Sequence, residues 1–179
     1  MNSNIDLSEL KHILDFEYFE TYSLQRGSDF EKIIIEKGEV CDLLSEKYKS
    51  EDLSVEENQK LIDLNLQLHN VQFLVDEDQK LHYSAEKLKR FYSNDYEATE
   101  LTKILKTKTE NVPAWMCAPV YRDAIVFYDR NDTIIEVLNI CFSCEFIQNS
   151  NKHFIDADIS VYQSLKNLFI RFGHKIESD

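Results

Sequence analysis

The chain has 179 residues, 43% hydrophobic and 12% aromatic, with a formal net charge of −13. This composition excludes a disordered chain, and the length suits one domain or one domain with a helical extension. The summed negative field disfavours nucleic acid as a partner, and no run approaches the ~18 apolar residues of a membrane span.

From Asp6 to about Leu24, the spacing of Leu7, Leu10, Leu14 and Tyr18, widened by Ile13, Phe16 and Phe19, predicts a helix. Arg26-Gly27-Ser28 breaks it. Ser28 and Glu31 then read as the capping box of a second helix, with a stripe of Phe30, Ile33, Ile34, Val40, Leu44 and Tyr48. Gly38 allows a break inside it, and Ile33 to Ile35 have a short strand as their alternative. Ser54 and Glu57 repeat the capping box and open the most regular helix, with its seam at Leu61, Leu64, Leu68, Val71 and Val75. A short helix is expected from Ser84 to Tyr92. Another, capped by Asn94 with Glu97 at its third position, runs to about Lys106.

The pattern then changes. Pro113 and Pro119 keep their stretch extended. Ala124–Tyr128 and Thr133–Phe142 read as strands on either side of the turn Asp129-Arg130-Asn131-Asp132, paired antiparallel. Phe146 to Asn151 extends the sheet or forms a loop. Asp158 caps a last helix with Val161, Leu165, Leu168 and Phe172 on one face, and Gly173 closes it. The expected fold class is α+β. Residues 1–110 form a mostly helical, bundle-like region, packed as one compact unit with a small antiparallel sheet and C-terminal helix in 111–179.

The chemistry these residues carry is narrow. Three glycines and two prolines argue against enzyme classes that need glycine where backbone meets a phosphate or cofactor. None of the five histidines stands in an H-x-x-x-H or HExxH arrangement, and no G-x-S-x-G, P-loop or G-x-G-x-x-G is present. The segment from Met1 to Asp6 lacks the basic region of a secretory leader, so the expected compartment is the cytosol, where cysteines serve as thiols or metal ligands rather than disulfides. Cys141-Phe142-Ser143-Cys144 is the sharpest motif. Two thiolates at that spacing can hold one metal on a tight turn, and Cys117 and His153 could complete the set. The other readings are buried core thiols and redox or disulfide roles. Tyr121-Arg122-Asp123 places a charged pair at a strand entry, either a salt bridge or an Arg122 fork that reads a carboxylate or phosphate. Trp115 is a plug over the sheet or, if exposed, the best interface anchor in the chain.

The stretch Tyr121-Arg122-Asp123-Ala124-Ile125-Val126-Phe127-Tyr128-Asp129, followed by Ile140-Cys141-Phe142-Ser143-Cys144, resembles small uncharacterised proteins of Bacteroidetes-type bacteria. These carry an R-x-A-hydrophobic-F-Y-D strand and a C-F-x-C strand, with a cysteine shortly before the arginine, here Cys117. The resemblance covers about residues 115–175 and brings no activity with it. It implies that Cys117, Arg122, Cys141 and Cys144 form one cluster.

Residues 1–60 carry 15 acids against 7 bases, and the other 119 carry 18 against 13. Such a surface supports solubility and steers a basic partner. The leading expectation is a non-enzymatic acidic interaction protein without a cofactor, of the immunity or inhibitor type, that occludes the basic surface of a protein partner. One alternative is a domain stabilised by one structural zinc on Cys117, Cys141, Cys144 and His153. Another is an enzyme with an unrecognised site centred on Arg122.

Overall fold

The computed structural model describes residues 4–114 and 116–176. They form two compact units. One holds the chain up to Leu24 together with everything from Phe73 onward, and the other is Gln25–Gln72. The units divide on either side of the central helical segment, so parts of the first 110 residues share a unit with the C-terminal strands.

In chain order, the first unit opens with β1 (Ile5–Asp6), two 3₁₀ turns (Leu7–Glu9 and Lys11–Leu14) and β2 (Tyr18–Ser23). The helix expected over residues 6–24 is therefore not formed. Leu7, Leu10 and Ile13 do point into the core at helical spacing, but the short 3₁₀ turns achieve this. Beyond them, Tyr18 to Ser23 alternates in period two, and every residue of the strand is buried. Aromatic and β-branched side chains fit a two-sided sheet position better than a one-sided helix.

After the second unit the chain returns as β3 (Glu86–Tyr92), where a helix had been predicted, and then α1 of this unit (Tyr96–Leu105). Next come β4 (Asp123–Tyr128), β5 (Ile134–Cys141), β6 (Phe146–Asn149), β7 (Phe154–Asp156) and α2 (Ile159–Arg171). Asp95, not Asn94, occupies the N-cap of α1. The sheet has seven strands in the order β1-β7-β6-β5-β4-β2-β3. All neighbours are antiparallel except β1 and β7, which are parallel. The α+β class holds. The sheet is larger than the expected one and mixed, because residues 5–23, 86–92 and 154–156 supply four further strands. The β4–β5 pair forms as the alternating apolar runs require, with a register shift at Phe127/Tyr128.

Both helices of this unit lie on one sheet face. Leu101 and Leu105 of α1 and Leu165, Leu168 and Phe169 of α2 pack on Phe19, Ile125, Phe127, Leu138 and Ile140. On the other face, Leu74 and the half-buried Val75 and Ala85 cover Tyr22, Val126 and Val137. Asp158 caps α2 by accepting from the Ser160 N–H. At the other end, the Gly173 N–H bonds the Ile170 carbonyl and the His174 N–H bonds that of Phe169. Gly173 has φ +94, the left-handed conformation that such a C-terminal motif demands. His174 then turns its ring onto Phe169, and its Nδ1 lies 2.6 Å from Oδ1 of Asp123, with both side chains almost fully buried.

The second unit is a helical hairpin of α3 (Ser28–Lys49) and α4 (Val55–His69), labelled after those of the first unit. The first of these runs through Gly38 without a break, with Gly27 rather than Ser28 at its N-cap. The capping box of Ser54 and Glu57 forms in full. The hairpin core is small, consisting of Cys41, Leu44, Leu61 and Leu64 with Val40, Leu53 and Leu68 beside them. No helix among the described residues is long and apolar enough to cross a membrane.

The contact between Asp123 and His174 fastens the end of α2 to the centre of the sheet. His174→Ala removes the imidazole bonded to a buried carboxyl and is expected to destabilise the first unit by about 1–3 kcal/mol. Urea denaturation at neutral pH measures this as a lowered midpoint with an unchanged slope.

Candidate functional site

The cysteine turn comes from simple local geometry. Strands β5 and β6 are joined by the residues after Cys141, and Cys141 lies opposite Phe146 in the ladder. Cys144 sits within the turn. The described residues between Leu105 and Asp123 form neither helix nor strand, and this strap carries Cys117, which is joined to Cys144 by a disulfide across 27 positions of sequence. Cys117 is exposed, whereas Cys144 and the free thiol Cys141 are 7% and 2% exposed. Cys141, Cys144 and Tyr121 make one buried cluster, with Phe73 and Phe146 packed against it. The Cys141 sulfur lies 3.4 Å from the Ser143 hydroxyl.

The strap is held at both ends by other means. At its start, the Asp158 carboxylate accepts from the Asn111 N–H at 2.9 Å and the Glu110 N–H at 3.2 Å, while the Ile159 N–H donates to the Asn111 carbonyl. The Ser160 hydroxyl and these backbone donors hold the Asp158 carboxyl well below the usual carboxylate range. At its end, Tyr121 is fully buried, and its hydroxyl donates to Gln148 Oε1 at 2.6 Å. Between these anchors, the disulfide is the covalent tie.

The expected metal set is not assembled. Cys117 and Cys144 are bonded to each other, and His153 lies on the turn after β6, at the far end of that strand from Cys144. The four residues of β6 lie between them, roughly 13 Å of strand. Among the described residues, no group of three or more histidine, cysteine or acidic side chains is arranged to hold a metal ion. Arg122 is exposed at the entry to β4, where its carbonyl accepts from the Leu24 N–H, and it stands outside the buried sulfur cluster. Its neighbour Asp123 is committed to His174. Trp115 falls outside the described residues.

Sequence reasoning missed a buried charge cluster on the sheet. Glu20 in β2 is nearly inaccessible and accepts from the Tyr22 hydroxyl, Lys87 Nζ at 3.1 Å and Arg90 Nε at 2.7 Å. The Arg90 guanidinium stacks over the Tyr18 ring, and that ring stacks on Tyr128 at 4.6 Å. Burial pushes the Glu20 carboxyl up, but Tyr22, Arg90 and Lys87 together outweigh it and hold the group below its ordinary 4.5. Burial, and then the Glu20 carboxylate, push the Tyr22 hydroxyl well above its usual range. The signal was present in the alternation Tyr18-Glu20-Tyr22, which puts all three on one sheet face once the segment is read in period two.

At the closed end of the hairpin, a cleft of about 570 Å³ is lined by Tyr48, Lys49, Glu51, Leu53, Ser54, Val55 and Asn58. Tyr48 is 63% exposed and Val55 is 83% exposed. Residues 46–57 also carry five acids, Glu46, Glu51, Asp52, Glu56 and Glu57, against Lys47 and Lys49. Both lysines are already engaged, Lys47 with Glu57 and Lys49 with Glu46.

No protein-family model matches the chain, and comparison with curated proteins and with solved structures returns no match.

Because the Glu20 carboxyl lies lower when folded than when unfolded, its contribution is fully present above about pH 4.5 and is lost as pH falls through the folded value. Glu20→Gln should flatten that acid limb of the stability curve and cost about 1–3 kcal/mol at neutral pH. Denaturant midpoints measured from pH 7 down to about pH 3 check both outcomes.

Proposed function

We propose that this chain is a non-enzymatic protein-binding module of the cytoplasm, of the immunity or inhibitor type, that covers a basic surface of its partner with the tip of the helical hairpin. The observation that carries this reading is the tip itself. Here a cleft lined by the exposed Tyr48 and Val55 lies on a stretch, residues 46–57, that carries five acids, two of them paired with lysines. An aromatic side chain beside an apolar notch is a suitable anchor for a docked surface, and the surrounding charge favours a partner rich in Lys and Arg. Solubility alone would account for the acids. It does not account for an exposed valine and tyrosine gathered at the closed end of the hairpin.

The hairpin is also economical for this task. Its two helices are set by local signals, the capping box at Ser54 and Glu57 and the Lys47–Glu57 ion pair at 2.6 Å, so the tip is pre-shaped before any partner arrives. Arg122 and the cysteine turn play no part in this reading.

The test begins with capture from the native host at low salt, followed by purification of the retained protein and titration against the intact chain. A basic protein is expected, bound at least about tenfold more weakly by Tyr48→Ala, with association slowed as salt rises. Helical content by circular dichroism shows that the variant still folds. A partner whose affinity ignores both Tyr48→Ala and Val55→Asp, or the retention of no partner, overturns the reading.

A further inference from the structure

The three C-terminal cysteines are chemically unequal, and the docking function above uses none of them. Cys117 is exposed on the strap, Cys144 is buried in the turn, and Cys141 is a buried free thiol in the same cluster. Disulfides exchange by attack of a thiolate on a sulfur it can reach, and the sulfur that is not attacked leaves. We propose that Cys117–Cys144 is an exchangeable disulfide and that Cys117 is the attachment site for low-molecular-weight thiols, with Cys144 as the thiol that removes them.

In the forward step, an external thiolate attacks the Cys117 sulfur. A new S–S bond forms between that thiol and Cys117, the Cys117–Cys144 bond breaks, and its electron pair goes to the Cys144 sulfur, which takes a proton. In the reverse step, the Cys144 thiolate attacks the Cys117 sulfur of the mixed disulfide and expels the small thiol. If a second small thiol instead attacks the first at the mixed disulfide, the small disulfide departs and Cys117 is left as a thiol. Two small thiols are then oxidised and the protein disulfide is reduced. Cys141 takes no part because solvent does not reach it.

The surroundings confine the consequence of this exchange. Asp158 keeps Glu110 and Asn111 in place, and Tyr121 stays in the core through Gln148. Opening the bond therefore frees the middle of the strap and leaves the sheet intact. That stretch includes Val112, Met116 and Val120, all exposed.

Glutathione is the probe. The intact chain, purified without reductant, is incubated with reduced and oxidised glutathione at several ratios, quenched in acid, alkylated and mapped by peptide mass. Before treatment, a linked Cys117–Cys144 peptide is expected. After treatment, glutathione should sit on Cys117 in about tenfold excess over Cys141 and Cys144 together. Cys144→Ser should raise occupancy at Cys117 several-fold, because nothing then expels the adduct, and Cys141→Ser should leave it unchanged. Cys117→Ser removes the same disulfide but changes an exposed position and leaves Cys144 as a buried thiol, so it should abolish labelling of the folded chain and keeps the test valid if Cys144→Ser fails to fold. Absence of the linked peptide, equal labelling of Cys141, or stoichiometric zinc that blocks all three cysteines from alkylation would overturn the proposal.

Discussion

A buried carboxyl in the middle of a sheet must find a partner, and here one histidine from the end of the last helix supplies it. Asp123 opens β4, which lies between β2 and β5, so its position is set by ladders on both sides. His174 reaches it because Gly173 reverses the chain in a left-handed conformation. The helix packed on Ile125, Phe127 and Leu138 is thereby fixed in rotation as well as in depth. Removing apolar area from water favours the burial of this face without choosing one orientation. The hydrogen-bonded pair makes the choice.

The same logic recurs on the opposite face, where Glu20 gathers Tyr22, Lys87 and Arg90. These contacts tie β2 to β3, whose connection is interrupted by the whole helical hairpin. Two neighbouring antiparallel strands thus enclose 62 residues of sequence, from Leu24 to Ala85, and need more than a tight turn to hold their register. A buried carboxylate with two cations on the partner strand provides that specificity. It also explains why cations cluster on β3 of an acidic chain. They answer an internal charge, and edge lysines further discourage pairing with a second sheet.

The candidate surfaces belong to different units. The hairpin tip carries apolar side chains among carboxylates, while the cysteine turn belongs to the sheet unit and its strap. In the sheet, the buried Glu20 and Asp123 are engaged in tying strands and helices together. The disulfide is the feature that the sequence reading, which expected thiols or metal ligands, did not lead with, and its one exposed end is what gives it a chemistry of its own.

Several parts were legible from residues alone. The capping box at Ser54 and Glu57, Asp158 and Gly173 at the two ends of the last helix, and the β4–β5 ribbon all follow from signals within a few positions of sequence. Tyr18–Ser23 and Glu86–Tyr92 were misread as helix, because leucines and charged residues around them mimic helical spacing and the strand partner of each lies more than sixty residues away. Sequence by itself therefore determined the α+β class, the helical hairpin, the negative charge and the presence of cysteines near one turn. Only the tertiary structure decided that four further strands, β1, β2, β3 and β7, complete the sheet, that Glu20 and Asp123 are buried with partners, and that Cys117 meets Cys144 while His153 lies at the far end of β6. The reason is physical: caps and turns are satisfied by neighbours along the chain, whereas strand pairing and buried charge are satisfied by residues that only folding brings near.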